Sequence, residues 1–476
     1  MDRTIFCVTN SKNNYIYDNQ LLLCSLVHPE LRRVHENQSV IDDYYLKKYL
    51  YLKQYGFFGD KNAVNLTNLT DRELEKNLSG VSKIVFEVTD ACNLSCRYCG
   101  YGNLYEVYGE RNNNCLDFNS AKILLDFILN LKTKEYDKDL IIGFYGGEPL
   151  LNFDFILKVV NYVESMSIDN GLNVKYSMTT NATLLIKHID FLIKYNFEIL
   201  VSLDGNISNN EYRIFKSGKP TFSDLVNDLD LIQDKYAEFF SKNISFNAVL
   251  HDKNSVKDIY DFFFPRYNKL PSISELVKSN VKPSMRQKFY DMFKDLRDNE
   301  DEYFHDCGHL SEAYIDSIEY NDVKNFFKYM CLSNNLWTLM NIVSGCESVL
   351  PTNTCSPFSL KIFLTCTNKL LPCERISHKY SLGEIKKGDV VIDFSEITKN
   401  YNSYFTKVSM LCGSCYLYRC CGKCIYQILN FSHLDDDDPI CDKYCDISLF
   451  ESKLGKLFSV IESRPNIVFD LFNELD

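Results

Sequence analysis

The chain has 476 residues, of which 45% are hydrophobic and 14% aromatic, enough for two or three domains with substantial cores. Its 52 lysines and arginines stand against 64 acids, a net charge of -12, so no basic excess is available to neutralise a phosphate backbone and a nucleic-acid partner is not expected. The sequence shows neither a signal segment nor a long uninterrupted apolar run. We therefore expect a soluble, cytoplasmic protein without a membrane partner.

The first 80 residues contain short apolar runs separated by Asn-rich turns. These runs predict strands at Ile5–Val8, Tyr15–Tyr17 and Leu21–Leu23. The segment Asp42–Tyr55 has the pattern of an amphipathic helix. We expect residues 1–80 to form a small module of strands and helices.

From Ser82 onward, apolar strands alternate with helical segments. The predicted strands are Lys83–Thr89, Leu140–Tyr145, Val174–Met178, Ile199–Leu203, Ile244–Leu250 and Ser272–Val277. The predicted helices between them are Ser120–Thr133, Phe155–Met166, Ile186–Tyr195 and Phe222–Tyr236. This alternation is typical of an α/β fold with parallel, right-handed βαβ units. We expect a partial (β/α)6 TIM-like barrel over residues 81–281, with its active site at the carboxyl ends of the strands, and a helical linker over 282–345.

The 19 cysteines fall into two groups and five single positions. Three lie between Cys92 and Cys99, and eleven lie between Cys346 and Cys445. In a long chain without a signal segment, metal binding explains them better than disulfides. The sequence therefore predicts two metal-binding regions.

The first group is a C-x3-C-x2-C loop, Cys92, Cys96 and Cys99, directly after the first barrel strand. Three thiolates from one short loop can hold three irons of a 4Fe-4S cluster and leave the fourth iron open for another ligand. The alternatives are reduced free thiols or part of a zinc site, although zinc favours C-x2-C pairs joined by a long spacer.

This loop, with the aromatic Tyr98 before its third cysteine, closely resembles the signature of the radical S-adenosylmethionine (SAM) superfamily. The resemblance implies that SAM binds the open iron through its amino and carboxylate groups. It implies that an electron from the cluster cleaves SAM to a 5'-deoxyadenosyl radical, which abstracts a substrate hydrogen, while the protein binds, orients and excludes water. Catalytic roles for the three cysteines, a cofactor contact for Tyr98 and an electron donor such as flavodoxin or ferredoxin follow from the same resemblance.

Motifs at the ends of later strands extend the resemblance. Gly146-Gly147-Glu148-Pro149 matches the family's motif for the SAM amino group, since paired glycines allow close approach and a carboxylate can bind an ammonium group. Further residues that resemble family contacts to SAM are Asn181, Ser202, Asp204, Arg213 and Asn247. Asn209-Asn210 replaces the His-Asp that usually precedes the arginine. Taken singly, each motif also fits an ordinary turn or solvated loop.

The C-terminal cysteines resemble the SPASM domain, which we expect over residues 346–476. Two departures are Asn368 at a usual glycine position and a Cys415–Cys420 gap one residue short. The resemblance implies two auxiliary 4Fe-4S clusters, three in all. The first would bind Cys346, Cys355, Cys373 and Cys424, and the second Cys412, Cys415, Cys420 and Cys441. Cys421 is an alternative to Cys420, and a zinc ribbon is an alternative for Cys412–Cys424.

Glu374 follows Cys373 at the position where sulfatase-maturing relatives place a carboxylate proposed to accept a substrate proton. That similarity implies a catalytic role for Glu374. An ordinary surface glutamate is the alternative.

The SPASM resemblance points to peptide or protein substrates. The N-terminal pattern resembles a small winged-helix module with which peptide maturases bind a leader, often as an added strand. We therefore expect a maturase that installs a thioether or carbon-carbon crosslink in a ribosomally synthesised precursor peptide with a leader. The alternatives are an anaerobic sulfatase-maturing-type enzyme that forms formylglycine, and a non-catalytic zinc-binding peptide scaffold.

Overall fold

The computed structural model describes residues 3–19, 21–39, 42–58, 68–106, 111–132, 139–278, 280–307, 318–330, 352, 354–428 and 441–475. The chain divides into two compact units. The first contains Met1–Asn68, His309–Thr354 and Tyr401–Asp476, and the second contains Leu69–Gly308 and Cys355–Asn400. None of the helices described is both long and apolar enough to cross a membrane.

The first unit begins with an antiparallel sheet of β1 (Thr4–Val8), β2 (Asn14–Asp18) and β3 (Leu23–Leu26), in that order. The predicted first two strands are confirmed. The third begins two residues later than predicted, because Leu22 takes a left-handed backbone conformation (φ 53°) in the preceding turn. The helices of this unit, including one that continues from the second unit, are Pro29–His35, Asp43–Gln54, Ile318–Asn325, Phe394–Gly413, Ile447–Ser463 and Asn466–Leu475.

The N-terminal sheet shares its core with the helix Ile447–Ser463. Ile5 and Tyr17 are fully buried in one apolar cluster with Phe450 and Phe458. A Cβ added at Gly455 would lie 2.6 Å from the carbonyl oxygen of Val8, so glycine permits the close approach of helix and strand. Strands β1 and β2 therefore depend on the helix Ile447–Ser463 for their packing.

The second unit is built on a sheet of ten strands. The strands are β4 (Lys83–Thr89), β5 (Asp139–Gly146), β6 (Asn173–Thr180), β7 (Glu198–Ser202), β8 (Ile244–Val249), β9 (Ser272–Ser274), β10 (Ile362–Leu364), β11 (Lys369–Leu371), β12 (Gly383–Lys386) and β13 (Asp389–Val391). Their order is β13-β12-β11-β10-β4-β5-β6-β7-β8-β9. Strands β4 to β9 are parallel in chain order, which confirms the predicted array of six strands.

Helices separate these parallel strands, as the alternation predicted. The helices of the second unit are Asp71–Ser79, Phe118–Lys132, Phe153–Asn170, Leu185–Lys194, Phe222–Lys235, Ala237–Asn243, Val256–Tyr267, Arg286–Met292 and Leu296–Cys307. The four helices predicted between strands are confirmed to within a few residues. Three finer predictions stay predictions: the curvature of the sheet into a partial barrel, the winged-helix character of the N-terminal module and the C-terminal SPASM domain.

Strands β10 to β13 extend the same sheet. Strand β10 pairs with β4 in parallel, with Ile362 beside Ile84, and β11, β12 and β13 follow in antiparallel pairs. The segment that contains Cys366 and Cys373 is therefore fixed against the first strand of the parallel array.

The two faces of the parallel strands differ in burial. On β7, Ile199 and Val201 are buried, whereas the alternating Leu200 and Ser202 are partly exposed. Strand β8 alternates in the same way. Because neighbouring side chains on a strand point to opposite faces, one face of the sheet packs in the core and the other remains accessible. The accessible face is where a cofactor and a substrate could lie.

Candidate active site

The cysteine loop begins three residues after β4, at the carboxyl end of the parallel sheet. The Cys92 sulfur accepts hydrogen bonds from the backbone N–H of Leu94 (3.4 Å) and from Nδ2 of Asn181 (3.7 Å). Asn181 also donates to Oδ1 of Asn93 at 2.9 Å. The turn after β6 therefore supports the first cysteine directly.

The thiols of this loop are chemically suited to a metal cluster. Burial raises the pKa of Cys92, and it raises the pKa of Cys96 to about 12. Bound iron favours the thiolate form, so cluster binding would release protons from these cysteines. No three Cys, His, Asp or Glu side chains converge on one point among the residues described. A cubane cluster requires no such point, because each thiolate binds a different iron.

Gly146 and Gly147 pack against the base of the cysteine loop. Cβ atoms at these positions would lie 2.2 Å from the carbonyl oxygen of Thr89 and 2.1 Å from that of Ala91. The N–H of Gly147 donates to Thr89 O (2.8 Å), and the N–H of Glu148 donates to Ala91 O (2.9 Å). The glycine pair therefore fixes the turn after β5 against the chain immediately before Cys92.

The Glu148 carboxylate is completely buried. It accepts hydrogen bonds from Thr180 Oγ1 and from the N–H of Asn181, both at 2.7 Å, and from the N–H of Leu150 at 3.1 Å. Burial raises its pKa to about 7 despite these donors. The side chain thus orients the turn that carries Asn181, while its predicted contact to SAM stays a prediction.

Asp204 connects the middle of the cysteine loop to the ends of two strands. Its carboxylate accepts hydrogen bonds from the Tyr98 hydroxyl, from Arg213 Nη2 (3.1 Å) and from the N–H of Val249 (3.0 Å). Burial acts to raise the pKa of Asp204, but the Arg213 guanidinium holds it below its ordinary value. This ion pair is almost wholly buried and keeps Tyr98 in place between Cys96 and Cys99.

His251 also belongs to this network, although the sequence did not point to it. Its ring stacks on Tyr98 with centroids 5.6 Å apart, and its Nε2 lies 3.6 Å from Asp204 Oδ2. It is fully buried just after β8. Its position at the end of a strand was the one available signal.

Ser202 and Asn247 are register partners on β7 and β8. Both lie on the accessible face of the sheet, and Asn247 Oδ1 accepts a hydrogen bond from Ser274 at 2.8 Å. The structure thus brings these two predicted cofactor contacts together. Their role stays a prediction.

Glu374 is not a freely solvated surface residue. Lys361 Nζ donates to the Glu374 Oε2 atom at 2.6 Å. Burial acts to raise the pKa of Glu374, but the positive charge of Lys361 outweighs burial and holds that pKa below its ordinary value. The Tyr101 hydroxyl donates to the backbone carbonyl of Glu374 at 3.1 Å, which links the end of the cysteine loop to the Cys373–Glu374 turn.

The predicted auxiliary cysteines divide between the two units. Cys355 and Cys373 lie in the second unit, whereas Cys412, Cys415, Cys420, Cys424 and Cys441 lie in the first. Cys346 lies outside the described residues. The clusters proposed for these cysteines stay predictions.

Cys420 and Cys421 differ in their surroundings. The Cys420 sulfur lies 3.5 Å from Met330 Sδ at an apolar core. After burial, Cys421 is the charged neighbour that most raises the pKa of Cys412, and it also raises those of Cys415 and Cys441. Besides burial, Cys421 and Cys415 likewise raise the pKa of Cys420, so both cysteines of the pair stay candidate ligands.

Comparison with known proteins gives these residues a family context. Residues 86–263 match the family model of the Radical SAM superfamily. An uncharacterized protein of Methanocaldococcus jannaschii is 36% identical over 34% of this chain and 52% of its own length. A cysteine-type anaerobic sulfatase-maturating enzyme of Clostridium novyi is 24% identical over 81% of this chain and 98% of its own.

A radical SAM cyclopropyl synthase, TigE of Paramaledivibacter caminithermalis, is 26% identical over 32% of this chain and 33% of its own length. The chain therefore spans about half of the first relative and a third of this one. Among solved structures, "Native anSMEcpe with bound AdoMet" has a TM-score of 0.52 at 20% identity and covers 82% of this chain and 99% of its own. That likeness establishes the fold. Residues 86–263 of this chain are a radical SAM domain.

Proposed function

We propose that this chain is a radical SAM peptide maturase that installs a thioether or carbon-carbon crosslink in a ribosomally synthesised precursor peptide. When bound, SAM and a 4Fe-4S cluster on Cys92, Cys96 and Cys99 supply a 5'-deoxyadenosyl radical for hydrogen abstraction. The chain's own part is to hold the cysteine loop between Glu148, Asn181 and Asp204 and to present substrate on the accessible face of the sheet.

The observation that carries the peptide assignment is the edge strand β3. Within the described residues β3 pairs with β2 alone, and Leu23 and Leu26 are 41% and 61% exposed. The N–H of Val27 donates to Asn14 O, so the pair Leu26–Tyr15 is a non-hydrogen-bonded one and the Leu26 backbone points away from β2. A strand whose backbone N–H points outward, as at Leu26, can add an extended peptide as a further strand.

The adjoining helix Asp43–Gln54 supports the same assignment. It has no buried residue, and Tyr44, Leu50 and Tyr51 are each more than half exposed. Exposed apolar side chains in the same module are a surface that a bound leader could cover.

An edge-strand substitution tests the leader interaction. Leu26→Pro removes the outward N–H while sparing the β2–β3 ladder, and Leu26→Ala is the matched control that keeps the N–H. We expect the proline variant to lose binding of the leader peptide in a fluorescence titration and the alanine variant to retain it. Equal binding by both variants would contradict strand addition.

The substrate class is tested by mass spectrometry of a leader-bearing peptide after co-expression. Crosslinking removes two hydrogens, which separates it from epimerisation and from formylglycine formation at cysteine, where sulfur is lost. Formylglycine formed from serine also lacks two hydrogens, and a hydrazine reagent that labels its aldehyde separates it from a crosslink. The sulfatase-maturating relative that this chain matches over 98% of its length makes formylglycine formation the second candidate. An anaerobically purified protein that holds zinc and no iron would instead favour the scaffold alternative.

We propose further that two auxiliary clusters accept the electron released at ring closure, with Glu374 as the proton acceptor. The second cluster would use Cys412, Cys415, Cys420 and Cys441, with Cys421 as the alternative to Cys420. The first cluster would use Cys346, Cys355, Cys373 and Cys424.

A further inference from the structure

The segment after the cysteine loop, residues 111–115, binds the chain just ahead of Cys92. Asp90 N–H donates to Asn114 O at 3.1 Å, and its Oδ2 accepts from the N–H of Asn112 (3.2 Å) and from Asn114 Nδ2 (2.8 Å). Thr89 forms an isolated antiparallel bridge with Cys115. The beginning of the cysteine loop is thus held by a short stretch that no sequence motif indicated.

Arg111 adds a contact to the other end of the loop. Its Nη1 donates to the Asp90 carbonyl at 2.9 Å, and its guanidinium carbon lies 3.3 Å from the centroid of the Tyr101 ring. Its Nη2 is 3.8 Å from Glu87 Oε1, which is buried beneath the loop. One guanidinium therefore touches the residue two positions before Cys92 and the residue two positions after Cys99.

The chemistry of arginine suits this double contact. The planar guanidinium can stack on an aromatic ring and donate hydrogen bonds in its own plane at the same time. A lysine ammonium is a point charge and cannot keep both the stack on Tyr101 and the bond to Asp90. An alanine side chain, as in Arg111→Ala, would keep neither.

We infer that Arg111 is a positioning residue that joins the two ends of the cysteine loop and thereby sets the spacing of Cys92 and Cys99. This inference rests on the proposed cluster at these cysteines. The second contact of Tyr101, to the carbonyl of Glu374, means that the same clamp also orients the Cys373–Glu374 turn.

The test uses the full chain, reconstituted anaerobically, as wild type, Arg111→Ala, Arg111→Lys and Arg266→Ala. Arg266 is the matched control, because it also pairs with a carboxylate, Asp230, and lies near aromatic rings, but on outer helices. Iron content, circular dichroism, the electron paramagnetic resonance spectrum of the reduced cluster with and without SAM, and deoxyadenosine formation are measured.

We expect both Arg111 variants to keep the wild-type iron content and fold but to show an altered SAM-dependent spectral shift. Because small displacements of reacting groups are costly, deoxyadenosine formation should fall by about tenfold or more in Arg111→Ala, with little rescue by lysine. Arg266→Ala should match wild type. A wild-type spectrum and rate in Arg111→Ala, full rescue by lysine, or loss of the fold in both variants would overturn the inference. A wild type without iron would instead count against the proposed function.

Discussion

The amide Nδ2 of Asn181 lies 3.7 Å from the sulfur of Cys92, and the N–H of Asn181 is bound by the Glu148 carboxylate at 2.7 Å. The turn after β6 is thus fixed on one side by a buried acid and supports the cysteine loop on the other. Its influence on the cluster can be measured.

Replacing Asn181 with alanine removes a hydrogen-bond donor to a cluster thiolate. Donors to sulfur stabilise the more negative, reduced cluster, so we expect the midpoint potential of the SAM-binding cluster to fall by about 40 mV, equivalent to ~1 kcal/mol. Redox titration followed by electron paramagnetic resonance checks this shift. Asn243→Ala, which removes an amide that binds Asn196 at the opposite end of β8, should leave the potential unchanged.

Glu148 predicts a specific dependence of stability on pH. Its pKa is raised by burial from 4.5 to about 7, so the folded state binds the proton more tightly than the unfolded chain. The contribution of Glu148 to the free energy of unfolding should therefore be highest below pH ~4.5, fall by about 3 kcal/mol as pH rises to ~7, and then level off. Urea unfolding across this range checks it. Glu148→Gln should lose this decrease, whereas the exposed Glu211→Gln should retain it.

The neighbouring cysteines Cys420 and Cys421 provide a matched pair. If Cys421 binds the second auxiliary cluster, Cys421→Ala should lower the iron content of the three-cluster protein by about a third, and Cys420→Ala should leave it close to wild type. Iron and sulfide analysis after anaerobic reconstitution decides between them. Loss of iron in Cys420→Ala but not in Cys421→Ala would identify Cys420 as the ligand.

Glu374→Gln should separate hydrogen abstraction from proton removal. We expect deoxyadenosine formation to stay within about twofold of wild type while peptide modification falls about 100-fold, since a general base typically contributes that much. Liquid chromatography with mass spectrometry measures both products. Glu384→Gln, which breaks the comparable pair with Lys386 on β12, should modify peptide normally. Equal loss in both variants would contradict a catalytic role.

The parallel strands could be predicted from the sequence, because strands that pack in a core need runs of apolar residues, and these runs are visible in the sequence. Strand β4 was predicted with its observed limits, and the cysteine loop was located correctly at its carboxyl end. Strands β10 and β11 have only three residues each and show no usable periodicity, so their addition to the same sheet was missed. Short strands are specified by their neighbours more than by their own sequence.

The side chains of the candidate site divide in the same way. The cysteines and the glycine pair belong to motifs that can be recognised in the sequence. The contacts of Arg111 and His251 belong to no such motif, because the chain brings their partners together only when it folds. Glu148 and Asp204, which are predicted cofactor contacts, are 0% exposed and bound to protein donors, and this engagement could not be read from their motifs. A motif identifies a position in the chain, and the fold shows which atoms of that residue are bound to other protein groups.

The packing of β1 against the helix Ile447–Ser463 has a consequence for biosynthesis. The N–H of Asn10 donates to Ser459 Oγ at 2.9 Å, across 449 positions of sequence. During translation the N-terminal strands must wait, with Ile5 and Tyr17 lacking their core, until the helix Ile447–Ser463 leaves the ribosome, while the parallel sheet can begin to form earlier. A stalled or prematurely ended chain would therefore expose the edge strand β3 together with its unfinished core, and would aggregate through its first residues.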